Sequence, residues 1–250
     1  VQLTGVAASP SGVGGLPTAV MAGIVVTSPF TAAATVGSAQ QVYANATGTG
    51  ANGVQAGVFE FTCAVGGSAN LLSITVTAGG SGNDNTAYSE VAIYRDGASG
   101  SVGSFDFAND TLIGSPATAF PSDNGSLTFN VQAGQQAFAA GESRTYLLVG
   151  KVAGSAANAQ TFQYTVTGVS SSPAGVTGIP TATMVGLTIE PEFSLAAAAG
   201  TALGVFANGT GAGGNGIQAG VFTIQAGSLG ANLVSITVAS SGTGNDSTAY

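Results

Sequence analysis

Asn70-Leu71-Leu72-Ser73-Ile74-Thr75-Val76 returns far along the chain as Asn232-Leu233-Val234-Ser235-Ile236-Thr237-Val238. Apolar Leu72, Ile74 and Val76 alternate with Ser73, Thr75 and Thr77. Side chains two residues apart on a strand share a face, so the pattern specifies a half-buried β-strand, present twice. The duplication extends outward from it. Val54-Gln55-Ala56-Gly57-Val58-Phe59 returns as Ile217-Gln218-Ala219-Gly220-Val221-Phe222. Gly82-Asn83-Asp84 and Thr86-Ala87-Tyr88 return as Gly244-Asn245-Asp246 and Thr248-Ala249-Tyr250. The offset is 163 residues (Pro17 to Pro180, Met21 to Met184, Phe30 to Phe193) and drops to 162 after a one-residue deletion near Gly66. Self-similarity at a fixed long period marks a repeat architecture.

The repeat also frames the chain. Thr4-Gly5-Val6 matches Thr167-Gly168-Val169 and Pro10 matches Pro173, so residue 1 falls inside the last strand of one repeat. Tyr250 is the equivalent of Tyr88, halfway through the next, and a half sandwich leaves an unpaired sheet edge and an open apolar face. The expected organisation is therefore a window onto a longer array. Residues 1–16 are the last strand and connector of a preceding repeat. Residues 17–179 are a complete repeat with its sandwich core at about 30–169, and 180–250 are a connector and the first half of the next.

Composition sets the fold class. Gly is 40 of 250 residues, only 6% are charged, and the mean hydropathy is +0.40. Low charge with apolar content spread over small residues predicts a folded chain of many short strands and tight turns. Strands are expected at Val54 to Cys63 with Phe59 and Phe61 on one face, and around Leu72 to Val76. Others follow at Val91 to Arg95, Leu127 to Val131, Tyr146 to Val152 and Phe162 to Val169. Turn signals separate them: Gly79-Gly80-Ser81-Gly82, Asp96-Gly97, Asn124-Gly125, Ala133-Gly134 and Ala140-Gly141. No long segment keeps a helical apolar period without Gly. About seven to nine strands per repeat describes an all-β fold of tandem immunoglobulin-like β-sandwiches joined by short extended connectors. The connector, residues 170–193 and its copy 7–30, carries Pro and β-branched residues that stiffen it.

The run Leu71 to Val76 through Gly82-Asn83-Asp84, then Val91-Ala92-Ile93-Tyr94-Arg95-Asp96 and Asn109-Asp110-Thr111-Leu112-Ile113-Gly114, is distinctive. With Leu127-Thr128-Phe129, Ala140-Gly141-Glu142-Ser143 and Tyr146-Leu147-Leu148-Val149, it resembles the tandem Ig-like β-sandwich repeats of large bacterial and archaeal cell-surface or extracellular filament proteins. The resemblance spans most of residues 42–169 and again 205–250. It implies a stalk, adhesive spacer or surface-layer element, outside the cell.

Charge narrows the partners. The net charge of −8 reflects scarce bases, Arg95, Arg144 and Lys151 alone, which excludes counterion-displacing contact with nucleic acid and attraction to anionic lipid. Residues 18–39 and 193–207 are apolar, but their repeat equivalents carry Glu190-Pro191-Glu192 and Gln40-Gln41, so neither is expected to insert in a membrane. Val1-Gln2-Leu3-Thr4 has no signal-peptide pattern. Cys63, the one cysteine, reads as a small apolar strand residue. With no His, one Cys and scattered carboxylates, the pairings of acid–base and nucleophilic catalysis are missing, so no enzyme and no catalytic residue are expected.

Two kinds of site remain. Asp96, Asp106 and Asp110 fall within fifteen residues on a Gly-rich loop and are the candidate calcium ligands, although Gly97-Ala98-Ser99-Gly100-Ser101 replaces the denser acidic ladder of related modules. Asp84 and its copy Asp246 read instead as turn formers. Asn45, Asn109, Asn124, Asn208 and Asn245 head N-x-Ser/Thr sequons and are the glycosylation candidates. No other cofactor is implied. An uncharged, Ser/Thr/Gly-rich β domain has few gatekeepers against edge pairing, so self-association into a polymer or lattice is the expected partnership. The leading expectation is a structural subunit of an extracellular filament, sheath or surface layer. The alternatives are a stalk or ligand-binding module of an adhesin, calcium-stiffened or not, and a pilin-like subunit whose terminal strands complete a neighbour.

Overall fold

The computed structural model describes residues 28–35, 40–44, 53–115, 119–177, 184, 186–197, 220–239 and 243. Alternating apolar and hydroxyl-bearing residues make β-strand its predominant regular structure. In chain order these are β1 (Phe30–Ala34), β2 (Gln40–Val42), β3 (Val54–Cys63), β4 (Ala69–Gly80), β5 (Tyr88–Arg95), β6 (Thr111–Leu112), β7 (Gly114–Ser115) and β8 (Ser126–Val131). They continue with β9 (Ala137–Phe138), β10 (Ser143–Val152), β11 (Thr161–Ser172), β12 (Val176–Thr177), β13 (Leu187–Ile189), β14 (Phe193–Ala197) and β15 (Phe222–Ala226). A single helical turn, α1 (Asp84–Ala87), precedes β5, and a 3₁₀ turn spans Ala133–Gln135.

Two sheets face each other. One runs β12-β1-β3-β10-β5-β6, and the other runs β2-β13-β11-β4-β8-β7 with β9 added on β4. Their neighbours are antiparallel except for β1 with β12 and β2 with β13. The inner faces share one core. Phe30, Phe59, Phe61, Ile93, Tyr146 and Leu148 from the first sheet meet Leu71, Ile74, Val76, Phe129, Phe162 and Val166 from the second. Each such large side chain, fully withdrawn from water, contributes about 1.5–3 kcal/mol of hydrophobic stabilisation. Aromatic edges and faces interlock within it, as in Phe30 against Phe138 at 5.0 Å between ring centroids and Phe59 stacked on Tyr146 at 5.7 Å.

One position departs from the expected alternation. Leu72 does not share the buried face with Ile74 and Val76. Ser170 pairs with Ser73 and the adjacent Ser171 with Leu71, so Leu72 is an extra residue in β4. A bulge of this kind shifts facing by one, which puts Leu71 into the core and leaves Leu72 half-buried.

Residues 96–110 do more than join two strands. They fold over the outer face of the first sheet, where Phe105 lies 4.9 Å from the Tyr94 ring. Ala92, Tyr94, Leu147 and Val149 form a second small core there, with Val58 and Phe105 packed against it. This explains why β5 is buried on both faces through Val91 to Tyr94.

The outer face of the second sheet is solvated by hydroxyls. Thr75 faces Thr128 at 2.8 Å, and Thr77 contacts both Ser126 at 2.7 Å and Thr167 at 2.8 Å. Cross-strand hydroxyl pairs of this kind stabilise a sheet modestly and keep it wet without charge. That is how a chain with three basic residues covers its surface.

The segment after β11 is woven into the sandwich. β12 pairs with β1, β13 closes between β11 and β2, and Met184, Leu187 and Ile189 join the core. The strand-like connector therefore completes the first unit before β14 leaves it. Among the described residues no helix is long and apolar enough to cross a membrane.

Candidate functional site

The three candidate calcium ligands lie in the loop that covers Tyr94. Asp110 closes the loop: its Oδ1 accepts the Gly97 N–H at 2.9 Å and its Oδ2 accepts the Asp106 N–H at 2.7 Å. Asp106 Oδ1 accepts from Ala108 N at 3.0 Å, and its Oδ2 accepts from Asn109 Nδ2 at 2.6 Å. Asp96 Oδ2 accepts from Gly103 N at 2.6 Å. These carboxylates thus terminate backbone N–H groups that a Gly-rich loop leaves over. Among the described residues no three His, Cys, Asp or Glu side chains converge to hold a metal ion. Asp96, Asp106 and Asp110 thus tie the loop together through its own backbone.

Two sequons fall on described residues. Asn109 is exposed, but its amide nitrogen is engaged by Asp106. Asn124 sits exposed at the tip of the turn before β8, with φ of 50°, a left-handed conformation that Asn adopts more readily than most residues. Asn45, Asn208 and Asn245 lie outside the described residues.

The structure adds a polar site that sequence reasoning passed over as a turn. Asn83 caps α1, its side chain accepting the Asn85 N–H at 3.1 Å, and this rotates Asp84 inward. Asp84 is fully buried. Its Oδ2 accepts the Asn124 N–H at 3.2 Å, while Oδ1 has no hydrogen-bond partner among the described residues. Burial pushes its carboxyl up to about 6, opposed by the Asn124 N–H and reinforced by the charge of Asp123. Below it, the Tyr164 hydroxyl donates to the Tyr88 hydroxyl, and burial drives both phenols far above their ordinary range. The group is enclosed: Tyr88 packs edge-on to Phe162 at 5.1 Å, and Phe120 stacks on Tyr164 at 5.9 Å. An enclosed Asp–Tyr–Tyr group is a structural staple between β5, β11 and the turn at Asn124. Asn83, Asp84, Ala87 and Tyr88, on α1 and at its two ends, are the residues that return as Asn245, Asp246, Ala249 and Tyr250.

The last site is an open surface. β14 and β15 pair with Phe193 opposite Ala226 and Ala197 opposite Phe222. At an offset of 163, these are the pairings of Phe30 with Cys63 and Ala34 with Phe59 between β1 and β3. The second unit thus begins in the same register as the first. Beyond it, residues 231–239 carry the equivalents of β4 but form no ladder. Ile236 and Val238 are 52% and 77% exposed, where Ile74 and Val76 are 0%. Leu195, Phe222 and Leu233 are also exposed. Exposed apolar side chains are thus concentrated in the described part of the second unit.

Comparison with known protein families, with curated proteins and with solved structures finds no match.

Proposed function

We propose that the chain is a structural subunit of an extracellular filament, sheath or surface layer, built from tandem Ig-like β-sandwich repeats that associate end to end and edge to edge. One observation carries this reading: β14 and β15 restart the first unit's strand pairing residue for residue, as tandem repeats of one sandwich do. The hydroxyl-covered outer face and the scarcity of charge support it, since neither opposes lateral contact between units. The chain performs no catalysis in this reading; its work is mechanical.

The test is electron microscopy and light scattering of the purified chain, with and without a calcium chelator. Fibres or sheets that form regardless of chelator and resist denaturant are expected. A species that stays monomeric at every concentration refutes the proposal. Calcium-dependent stabilisation of such a monomer favours the adhesin stalk instead.

A further inference from the structure

The residues just before β8 close over Asp84, and they are held at both ends. At one end the Asn85 side-chain amide donates to the Phe120 carbonyl at 2.8 Å, and the Phe120 ring stacks on Tyr164. At the other the Gly125 carbonyl accepts the Ala78 N–H of β4 at 2.9 Å. Between these anchors Pro121, Ser122, Asp123 and Asn124 are all exposed and give no side chain to the core. Gly125 N donates to Ser122 O at 3.1 Å, which makes them a tight turn. The bond that ties this turn to the interior runs from the Asn124 N–H to Asp84 Oδ2 at 3.2 Å.

The acceptor beneath the turn is a carboxyl at odds with its surroundings. Asp84 is fully buried, and Oδ1 has no partner among the described residues. Asp123 acts on it from the turn, Tyr88 from the start of β5 and Tyr164 from β11. Burial keeps both phenols protonated, and Asp123 adds charge of the same sign. The three bases serve elsewhere: Arg144 bonds Glu142, Lys151 bonds Glu90, and Arg95 acts on Glu142 and Tyr146.

Ionisation of Asp84 therefore sets two effects against each other. The Asn124 N–H bonds a carboxylate more strongly than a carboxylic acid, which favours the closed turn. Burying an ion without water or countercharge is unfavourable, which favours opening. Burial wins, since it holds the carboxyl at about 6 rather than 3.8 in spite of the Asn124 bond. Relief comes most easily through the turn, whose displacement uncovers Asp84 without opening the core.

We infer that residues 121–124 are a pH-operated lid, closed over protonated Asp84 in acid and opened by hydration of its carboxylate at neutral to alkaline pH, while the sandwich stays folded. Closure is fully favoured below the ordinary carboxylate range and weakens as pH rises through about 6. The inference is independent of the polymer reading, because every group in it belongs to the first unit.

Amide hydrogen exchange of the full chain between pH 4 and pH 8 tests it, with each rate compared with that of the same amide in an unstructured peptide. A midpoint displaced by about two pH units carries about a hundred-fold into the opening equilibrium, and screening by solvent at the exposed turn reduces this to about ten-fold. The Asn124 amide should lose protection by that factor as pH rises through about 6. The Leu71 N–H, which β4 donates to the Gln136 carbonyl at 2.9 Å, reports on the sandwich itself and should keep its protection. In Asp84→Asn the Asn124 amide should be equally protected at pH 4 and pH 8. As a readout that needs no substitution, the Asp84 carboxyl carbon of the wild-type chain, followed by NMR, should titrate where Asn124 loses protection. Unchanged protection at Asn124, a parallel loss at Leu71, or a loss that survives Asp84→Asn overturns the inference. So does a carboxyl titration that falls outside the range of that loss.

Discussion

Replacing Asp84 by Asn isolates the cost of burying a carboxylate. Asp84 has no exposed surface, one unpartnered oxygen, and a pKa raised from 3.8 to about 6. A group whose folded pKa lies above its unfolded one contributes stability that is fully present below the unfolded value and lost as pH rises through the folded value. The wild-type chain therefore loses this contribution between about pH 4 and pH 7. A shift of about two units corresponds to roughly 3 kcal/mol at 1.36 kcal/mol per unit. The turn above Asp84 is thin, since Ser122, Asp123 and Asn124 are all exposed, and solvent screening reduces the figure to ~1–2 kcal/mol. Asp84→Asn keeps an acceptor for the Asn124 N–H and removes the titration. At pH 8 the variant should unfold ~1–2 kcal/mol later than wild type in urea, and at pH 4 the two should coincide. The assay is urea denaturation at half-unit steps of pH, read as variant minus wild type. Subtraction cancels groups of opposite sign, such as Glu142, which the Arg144 hydrogen bond holds below the usual carboxylate range. A flat difference, or a variant that is weaker at pH 8 than at pH 4, refutes the reasoning.

Further outcomes follow from the same core and loop. Tyr88→Phe or Tyr164→Phe strands the surviving hydroxyl in the core and should cost about 1–3 kcal/mol, whereas the double variant should cost less than the sum of the singles. Denaturation of all three, assembled as a double-mutant cycle, checks this. Asp110→Ala frees the N–H groups of Gly97 and Asp106 and should lower stability by about 1–3 kcal/mol, while chelator leaves the wild-type melting temperature unchanged. Calorimetry with and without chelator separates a loop held by its own hydrogen bonds from one held by calcium. Gly82→Ala places a Cβ 2.2 Å from the Phe162 ring and should cost about 1–3 kcal/mol by overpacking, read as a lower urea midpoint.

Much of the sandwich was legible because alternation is a local property. Val54 to Cys63, Leu127 to Val131 and Tyr146 to Val152 all lie within strands, and the chain is all-β as its composition implies. What escaped depends on distant partners. Leu72 and Leu71 are equally apolar, and only the register against Ser170 and Ser171 decides which is buried. Tyr94 and Ala92 look like the solvent side of a strand until Phe105 folds over them. Short strands such as β12 and β13 carry no periodicity of their own, because two or three residues cannot express one. Asp84 has the composition of a turn, and its burial follows from the Asn83 cap, which turns the carboxylate inward. Asp96, Asp106 and Asp110 show the converse: clustered carboxylates in a Gly-rich loop were answered by backbone N–H groups. The duplication supplied the most, since β14 and β15 repeat the pairing of β1 and β3 at its offset.

Residues 231–239 carry the sequence of β4 at the repeat offset, which makes them the second unit's counterpart of that strand. Amide hydrogen exchange measures this directly, comparing residues 233–238 with residues 71–76 in the same sample before and after assembly. Both segments should be protected in the assembled protein, and only residues 71–76 in dispersed chains. Fast exchange at residues 233–238 in fully assembled material would contradict it.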